Sequence, residues 1–269
     1  MGPIWLAGIM ALCGSTLMAP WAVALERNGL TPRIINGAPA DITEYPFLVS
    51  IQEKYQGSFY HRCGGTFLAA NKILTAAHCV LAEDGTLFNT EDLQVVSGLT
   101  RPDQSLSRVS QIRSLKVHPK FRYPPYFDVA VITLEKEVES FTPISLALSG
   151  PKAKTEGVVV GWGSVDDYGG TKSRELLAGG VSVSSDSQCR RRLNKFSRGH
   201  PTVVFCATKN PSDICDGDSG GPLLMLVDGG VVQAGITSAV LDDHCASPSG
   251  SAFTKLSAKQ IKDFIGANR

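Results

Sequence analysis

Short apolar runs bounded by turn-forming residues are the clearest pattern along the chain. Examples are Gly157–Val160 and Leu223–Val227, each about the length of one buried strand. The chain also carries 27 glycines and 15 prolines, which favour turns between strands. Near the C-terminus, Ile261, Phe264 and Ile265 lie on one face of a helix from about 257 to 267. The pattern predicts an all-β protein with a short C-terminal helix.

Composition narrows the class of protein further. The chain has 269 residues, of which 43% are hydrophobic, and β-proteins of this size often form one large folding unit. The net charge is +1 and the pI is near 7.6. This balance gives no charged field for nucleic acid or an anionic membrane, so we expect neither as a partner. We find no internal repeat and no low-complexity tract.

The N-terminus has the features of an export signal. Residues 4–19 are apolar or small and uncharged, and Ala22–Ala24 fits the small-x-small pattern that precedes signal-peptidase cleavage. A membrane anchor is the alternative, but it needs about 20 apolar residues, and Pro20 breaks this run. We therefore expect a signal peptide over residues 1–24 and a secreted mature protein, although the basic segment that usually opens a signal peptide is absent.

Cysteine usage agrees with export. Cys13 lies in the expected signal peptide, which leaves six cysteines in the mature chain. An even number in a secreted protein predicts disulfides, and six cysteines allow 15 connectivities. The sequence has no Cys-x-x-Cys pair, which argues against a zinc site. The connectivity stays open on this argument alone.

Three separate segments supply the residue types needed for acyl transfer. In Gly217–Pro222, Ser219 stands among glycines that permit close approach of a substrate, and the N–H groups of Gly217 and Ser219 can form an oxyanion hole. A serine hydroxyl needs a base and a group that orients the base. His78 in Thr75–Cys79 and Asp128 before a strand-like run supply them. Any one of these could be a structural residue or a simple turn, but together they point to a nucleophilic serine.

The order His78, Asp128, Ser219 and the motifs around them resemble the chymotrypsin-like (trypsin-fold) serine endopeptidases, from Ile34 to the C-terminus. The resemblance implies two packed six-stranded antiparallel β-barrels, at about 34–145 and 146–269, with the short helix at the end. It also implies peptide hydrolysis with Asp128 orienting His78, assisted by Ser238. The implied disulfides are Cys63–Cys79, Cys189–Cys206 and Cys215–Cys245.

The resemblance further implies synthesis as a zymogen. Residues 25–33 would be an activation propeptide, and cleavage after Arg33 would free the amine of Ile34. In the family this amine pairs with the aspartate before the nucleophile, here Asp218. Before cleavage, the family pattern would have Asp218 held by His61, with Ser50 nearby.

Two features of the implied specificity pocket indicate different substrate preferences. Asp213 occupies the pocket base, where a carboxylate selects Lys or Arg at P1, the residue before the scissile bond. Val240 and Ser251 stand where trypsins have two glycines, as in elastases, while Ser238 opens one wall. An unpaired carboxylate in a pocket for small residues is costly. We therefore predict basic P1 specificity, with elastase-like specificity for small residues as the alternative.

The remaining expectations concern cofactors and partners. The stretch matching the family's calcium loop, Gly98–Asp103, lacks the first of its two glutamates, so no metal or other cofactor is implied. The partners expected are protein or peptide substrates and protein protease inhibitors, and the protein is expected to be a monomer. The basic run of Arg190–Arg192, Lys195 and Arg198 is either an exosite or a solvated face. A catalytically silent binding protein with this fold is the alternative function.

Overall fold

The computed structural model describes residues 37–82, 84–101, 108–122, 126–166, 168–194, 202–210, 212–245 and 247–269. The expected signal peptide, the propeptide, Arg33, Ile34, Lys195 and Arg198 lie outside these residues. Within the described part of the chain, no helix combines the length and hydropathy needed to cross a membrane.

Antiparallel strands make up most of the fold. In chain order they are β1 (Ala38–Pro39), β2 (Leu48–Tyr55), β3 (Ser58–Ala69), β4 (Lys72–Thr75), β5 (Leu93–Ser97), β6 (Arg108–Ser110), β7 (Ile112–Val117), β8 (Ala130–Leu134), β9 (Ser145–Leu146), β10 (Glu156–Gly161), β11 (Leu177–Val183), β12 (Val204–Lys209), β13 (Pro222–Val227), β14 (Gly230–Val240) and β15 (Ser251–Lys255). The helices are α1 (Asp186–Asn194) and α2 (Lys259–Asn268), with 3-10 turns at Ile42–Glu44, Ala77–Val80 and Thr90–Asp92.

The first sheet is a curled half-barrel with the strand order β6-β5-β2-β3-β4-β8-β7. Its edge strands β6 and β7 are separated along the chain by Gln111 alone, so one interrupted segment runs from one edge of the sheet to the other. This interruption is why seven strands are observed where six were predicted. Buried side chains such as Ile51, Phe67 and Ile132 fill its concave face.

The second sheet closes into a six-stranded barrel. Its order is β11-β10-β13-β14-β15-β12, and pairing of β12 with β11 completes the ring. Two short strands extend it, because β1 pairs with β11 and β9 lies parallel to β14. The all-β prediction and the C-terminal helix are confirmed. Helix α2 is held by the apolar face predicted for it, since Ile261 and Ile265 are buried.

Buried polar contacts join the two sheets. The Thr66 hydroxyl of β3 donates to Gln233 Oε1 of β14 at 2.7 Å, and Gln233 Nε2 donates to the Gly235 carbonyl at 3.1 Å. The backbone N–H of Gly64 on β3 donates to the Ser219 carbonyl at 2.8 Å. Buried polar groups are costly unless paired, so these bonds fix how the sheets meet.

Candidate active site

His78 lies on a 3-10 turn directly after β4. The buried apolar residues Ile73 and Leu74 hold β4 in the first sheet, and the disulfide of the adjacent Cys79 ties the turn to Cys63 on β3. The imidazole is therefore fixed from both sides while its edge stays half-exposed.

Asp128 holds the inner edge of this imidazole. Its Oδ2 accepts a hydrogen bond from His78 Nδ1 at 2.8 Å, and its Oδ1 accepts the His78 backbone N–H at 3.1 Å. The second sheet contributes too, because the Ser238 hydroxyl donates to Oδ2 and the Thr254 hydroxyl donates to the Asp128 carbonyl at 2.8 Å. Asp128 is buried at 1% exposure and is anchored by both sheets.

The two ionisable groups shift each other's pKa. Burial of the imidazole lowers its pKa, but the charge and hydrogen bond of Asp128 raise it by more, so the pKa of His78 lies above its ordinary value. Burial opposes the charged form of Asp128, yet His78 and the Ser238 hydroxyl bring its pKa below the usual range. Asp128 is thus an anion that fixes the proton of His78 on Nδ1 and leaves Nε2 for the cleft.

Ser219 stands on a tight turn between these sheets. Gly217 and Gly220 adopt φ values of 102° and 77°, which only glycine accepts without strain. A Cβ on Gly220 would collide with the Thr75 hydroxyl, so the turn lies directly against the first sheet. Ser219 and His78 line the same open cleft of about 410 Å³. Among the described residues, the Ser219 hydroxyl has no hydrogen-bond partner.

Asp218 points inward from the same turn. Its carboxylate accepts backbone N–H bonds from Gly163 at 2.9 Å and from Cys215 at 3.0 Å. Burial raises its pKa to about 6, although these bonds oppose the shift. A Cβ on Gly161 or Gly163 would overlap this carboxylate. The sequence analysis missed both glycines, whose pairing around Trp162 was the available signal.

His61 forms its described hydrogen bonds with residues other than Asp218, unlike the arrangement expected before cleavage. Its Nδ1 is 2.7 Å from the Ser50 hydroxyl and its Nε2 donates to the Gly217 carbonyl at 2.9 Å. Burial lowers the pKa of His61 to about 4, so the ring is neutral and accepts from Ser50. The ring fixes the orientation of the Gly217 peptide.

The predicted pocket residues Asp213, Val240 and Ser251 come together in the structure. Asp213 is buried at 1% exposure, and its Oδ1 accepts from the Ser251 hydroxyl at 2.7 Å and the Ile214 N–H at 2.9 Å. Burial raises the pKa of Asp213 to about 6, against the effect of the Ser251 bond. Val240 and Ser251 are direct partners across β14 and β15. Ile214, a buried apolar neighbour of Asp213, was missed by the sequence analysis.

Ser238 lies at the boundary of this pocket, with its hydroxyl directed to Asp128. Within the basic run, Arg192 of α1 donates to the Ser184 hydroxyl at 3.0 Å and the Pro248 carbonyl at 3.2 Å. Arg192 therefore connects α1 to the segment that precedes the Ser251 strand.

All three implied disulfides are present: Cys63–Cys79, Cys189–Cys206 and Cys215–Cys245. The last links the Ser219 turn to the chain between β14 and β15. His78 Nε2 lies 3.8 Å from Cys79 Sγ, but a sulfur in a disulfide is not a thiolate ligand, so this group is not a metal site.

Comparison with known proteins agrees with this arrangement. A family model described as Trypsin matches residues 34–265. The chain belongs to the trypsin family. A trypsin of Saccharopolyspora erythraea is 34% identical over 221 residues, which cover 80% of this chain and 89% of that protein. Trypsin alpha of Drosophila melanogaster is 31% identical over 233 residues, covering 85% of this chain and 84% of that protein.

Membership in the trypsin family settles the class of reaction. The chain is a serine-type endopeptidase, and its substrates are proteins or peptides. The resemblance inferred from the sequence motifs is confirmed, and the alternative of a silent binding protein is not supported.

Replacing Gly163 by Ala should damage the Ser219 turn. The new Cβ would overlap the Asp218 carboxylate, so the turn must move, and overpacking of this kind costs about 1–3 kcal/mol. We expect the melting temperature to fall by several degrees and peptide hydrolysis to drop. Gly170→Ala in the same loop is the matched control, because its Cβ would meet nothing closer than 3.6 Å. Equal melting temperatures for the two variants would refute the prediction.

Proposed function

We propose that this chain is a secreted trypsin-like endopeptidase, made as a zymogen, in which Ser219 is the nucleophile, His78 the general base and Asp128 the residue that orients His78. The observation that carries the proposal is the His78 imidazole, bound through Nδ1 to buried Asp128 while it shares an open cleft with Ser219. Among the described residues, this arrangement best supplies the nucleophile, the base and the orienting group that acyl transfer needs.

The reaction proceeds in two half-reactions. His78 Nε2 takes the proton of the Ser219 hydroxyl as the oxygen attacks the scissile carbonyl, and the imidazolium is stabilised by Asp128. His78 then delivers the proton to the leaving amine, so the peptide bond breaks and an acyl-enzyme remains. Water repeats both proton transfers, which releases the acid product and restores Ser219.

The oxyanion of each tetrahedral intermediate is bound by the N–H groups of Gly217 and Ser219. In the described part of the chain neither N–H donates to a protein acceptor, whereas the neighbouring amides of Asp218 and Gly220 donate to the Cys215 and Thr237 carbonyls. Two free, adjacent donors beside a nucleophile are what charge stabilisation in acyl transfer requires.

Activation by cleavage after Arg33 is supported by the environment of Asp218. Its buried carboxylate has only backbone donors among the described residues, and burial raises its pKa to about 6. A buried carboxylate is strongly stabilised by a cation. The α-amino group of Ile34 would supply that cation and lock the turn that carries Gly217 and Ser219.

Basic P1 specificity is supported by Asp213. Both hydrogen bonds to its carboxylate reach Oδ1, which leaves Oδ2 for the ammonium or guanidinium of a substrate. No described cation forms an ion pair with it. The elastase-like alternative rests on Val240 and Ser251, which are cross-strand neighbours on β14 and β15. We favour the basic preference because a substrate cation would compensate the buried charge.

Secretion is supported by residues 1–24 and by the three disulfides, which persist in oxidising compartments. We also propose that the protein is a monomer and that protein protease inhibitors bind it.

Ser219→Ala tests the catalytic assignment. Loss of the nucleophile should lower kcat by about 10⁴- to 10⁶-fold, because the three residues act as a unit. The variant should keep the melting temperature of the wild type, since the hydroxyl has no partner among the described residues. Activity above a tenth of the wild type, measured on a peptide substrate, would disprove the assignment.

Arg33→Gln tests the zymogen proposal. A trypsin-like activator cannot free Ile34 from this variant, so it should accumulate as an inactive precursor. Arg27→Gln in the same propeptide is the matched control and should be activated normally. Mass spectrometry of the N-terminus together with peptide hydrolysis gives the answer. A fully active Arg33→Gln protein with its propeptide attached would contradict the proposal.

Asp213→Ser distinguishes the two P1 specificities. If Asp213 binds a basic side chain, its loss should lower kcat/KM for a Lys substrate by about 10- to 100-fold. If the pocket takes only small residues, the change removes a buried charge and cleavage after Ala should hold or rise. A wild type that prefers Ala to Lys would overturn the basic assignment.

The pH dependence of kcat/KM for the Lys and Ala substrates also tests the basic P1 specificity. Protonation of Asp213 near pH 6 removes its charge, so kcat/KM for Lys relative to Ala should fall as the pH drops below about 6. Titration of His78 affects both substrates and cancels in the ratio. If the ratio of kcat/KM for Lys to that for Ala were independent of pH, Asp213 would not contact the P1 side chain.

A further inference from the structure

The open cleft beside Ser219 extends away from the Asp213 pocket. It begins at Ser219 and His78 and runs to the β2–β3 hairpin, where Tyr55 and Tyr60 are 64% and 58% exposed. Asp213, Val240 and Ser251 do not line it. In the proposed reaction, the residues after the scissile bond therefore leave through this cleft.

Four charged side chains line the cleft: Glu53, Arg62, Lys172 and Asp216. Arg62 is already committed, because it pairs with Glu53 at 2.6 Å and also donates to the Cys79 and Leu81 carbonyls at 3.2 Å. These two charges neutralise each other, so they contribute little preference for a charged substrate.

Lys172 differs from Arg62 because it forms no ion pair among the described residues. It is exposed, and its one described hydrogen bond is to the Asp216 backbone carbonyl, at 3.5 Å. Burial raises the pKa of Asp218, and the charge of Lys172 opposes that larger effect. The Asp216 side chain lies against Gly169, where an added Cβ would overlap its carboxylate, and it forms no described ion pair with Lys172. The ammonium also borders Gly217, since a Cβ there would lie 3.1 Å from it.

The alternation of side chains along an extended substrate indicates which substrate residue would lie near the Lys172 ammonium. Side chains alternate along an extended chain, so the second residue after the scissile bond, P2′, points to the same side as P1. With P1 directed to Asp213, P2′ is directed toward the wall that contains Gly217 and Lys172. We propose that Lys172 makes this endopeptidase prefer an acidic residue at P2′.

This inference rests on the proposed function and adds to it a preference for one of the substrate residues after the scissile bond. The enzyme would then select a basic residue before the scissile bond and an acidic one two positions after it. Exposed ion pairs are weak and are screened by salt. We therefore expect a preference of about two- to fivefold that fades at high ionic strength.

The test uses peptides of one sequence with Glu, Gln or Lys at P2′. The kcat/KM ratio of the Glu peptide to the Gln peptide should be about two- to fivefold at low salt in the wild type, near one in Lys172→Gln, and inverted in Lys172→Glu. Asp216→Asn should raise the ratio, because a neighbouring negative charge is removed. Lys116→Gln, an exposed lysine on β7 outside the cleft, is the matched control and should leave the ratio unchanged. A wild-type ratio of one, or a preference that survives in Lys172→Gln, would overturn the inference.

Binding to the Ser219→Ala variant separates this inference from the proposed function. Fluorescence anisotropy of the labelled Glu and Gln peptides needs no turnover. Tighter binding of the Glu peptide that is lost with Lys172→Gln supports the inference even if hydrolysis fails and the catalytic assignment falls. Equal binding of the two peptides, beside normal hydrolysis by the wild type, overturns the inference and leaves the catalytic assignment intact.

Discussion

Direct backbone contact between the two sheets is the constraint on which the site depends. Gly64 donates its N–H to the Ser219 carbonyl at 2.8 Å, and a Cβ on Gly64 would lie 2.9 Å from the Gly221 Cα. A side chain at position 64 cannot be accommodated at such a contact, so glycine is required there. The contact fixes Ser219 relative to β3, and β3 is joined through β4 to His78. Ser219 and His78, which come from different sheets, therefore keep a fixed position relative to each other.

Three buried aspartates show how the same side chain is adapted to different tasks. Asp128 accepts hydrogen bonds from His78 and from the Ser238 hydroxyl, and its pKa is lowered. Asp213 and Asp218 have mainly hydroxyl or backbone donors, so burial dominates and raises the pKa of each to about 6. A buried carboxylate of this second kind gains most from an added cation. The site thus has one carboxylate that is already paired with an imidazole and two carboxylates that favour a cationic partner.

The sequence predicted features that local patterns encode. Apolar runs and turn residues indicated the strands, and the motifs around His78, Asp128 and Ser219 indicated the residues that are proposed as the reactive groups. It did not predict the break at Gln111, the hydrogen bond from Ser251 to Asp213, or the orientation of His61. These depend on which atoms become neighbours after the sheets pack. The same holds for Lys172. Only the folded structure reveals that Arg62 forms an ion pair with Glu53, whereas Lys172 forms none among the described residues.

The geometry at Asp213 also bears on which basic residue the proposed pocket suits. Ser251 and the Ile214 N–H both donate to Oδ1, so Oδ2 is the oxygen without a hydrogen-bond donor among the described residues. A guanidinium binds a carboxylate best through two parallel hydrogen bonds, which needs both oxygens, whereas an ammonium is a compact charge that needs one. Under the proposed basic specificity, the Ser251 hydroxyl therefore shifts the pocket from Arg toward Lys, and its effect arises from occupying one oxygen of Asp213.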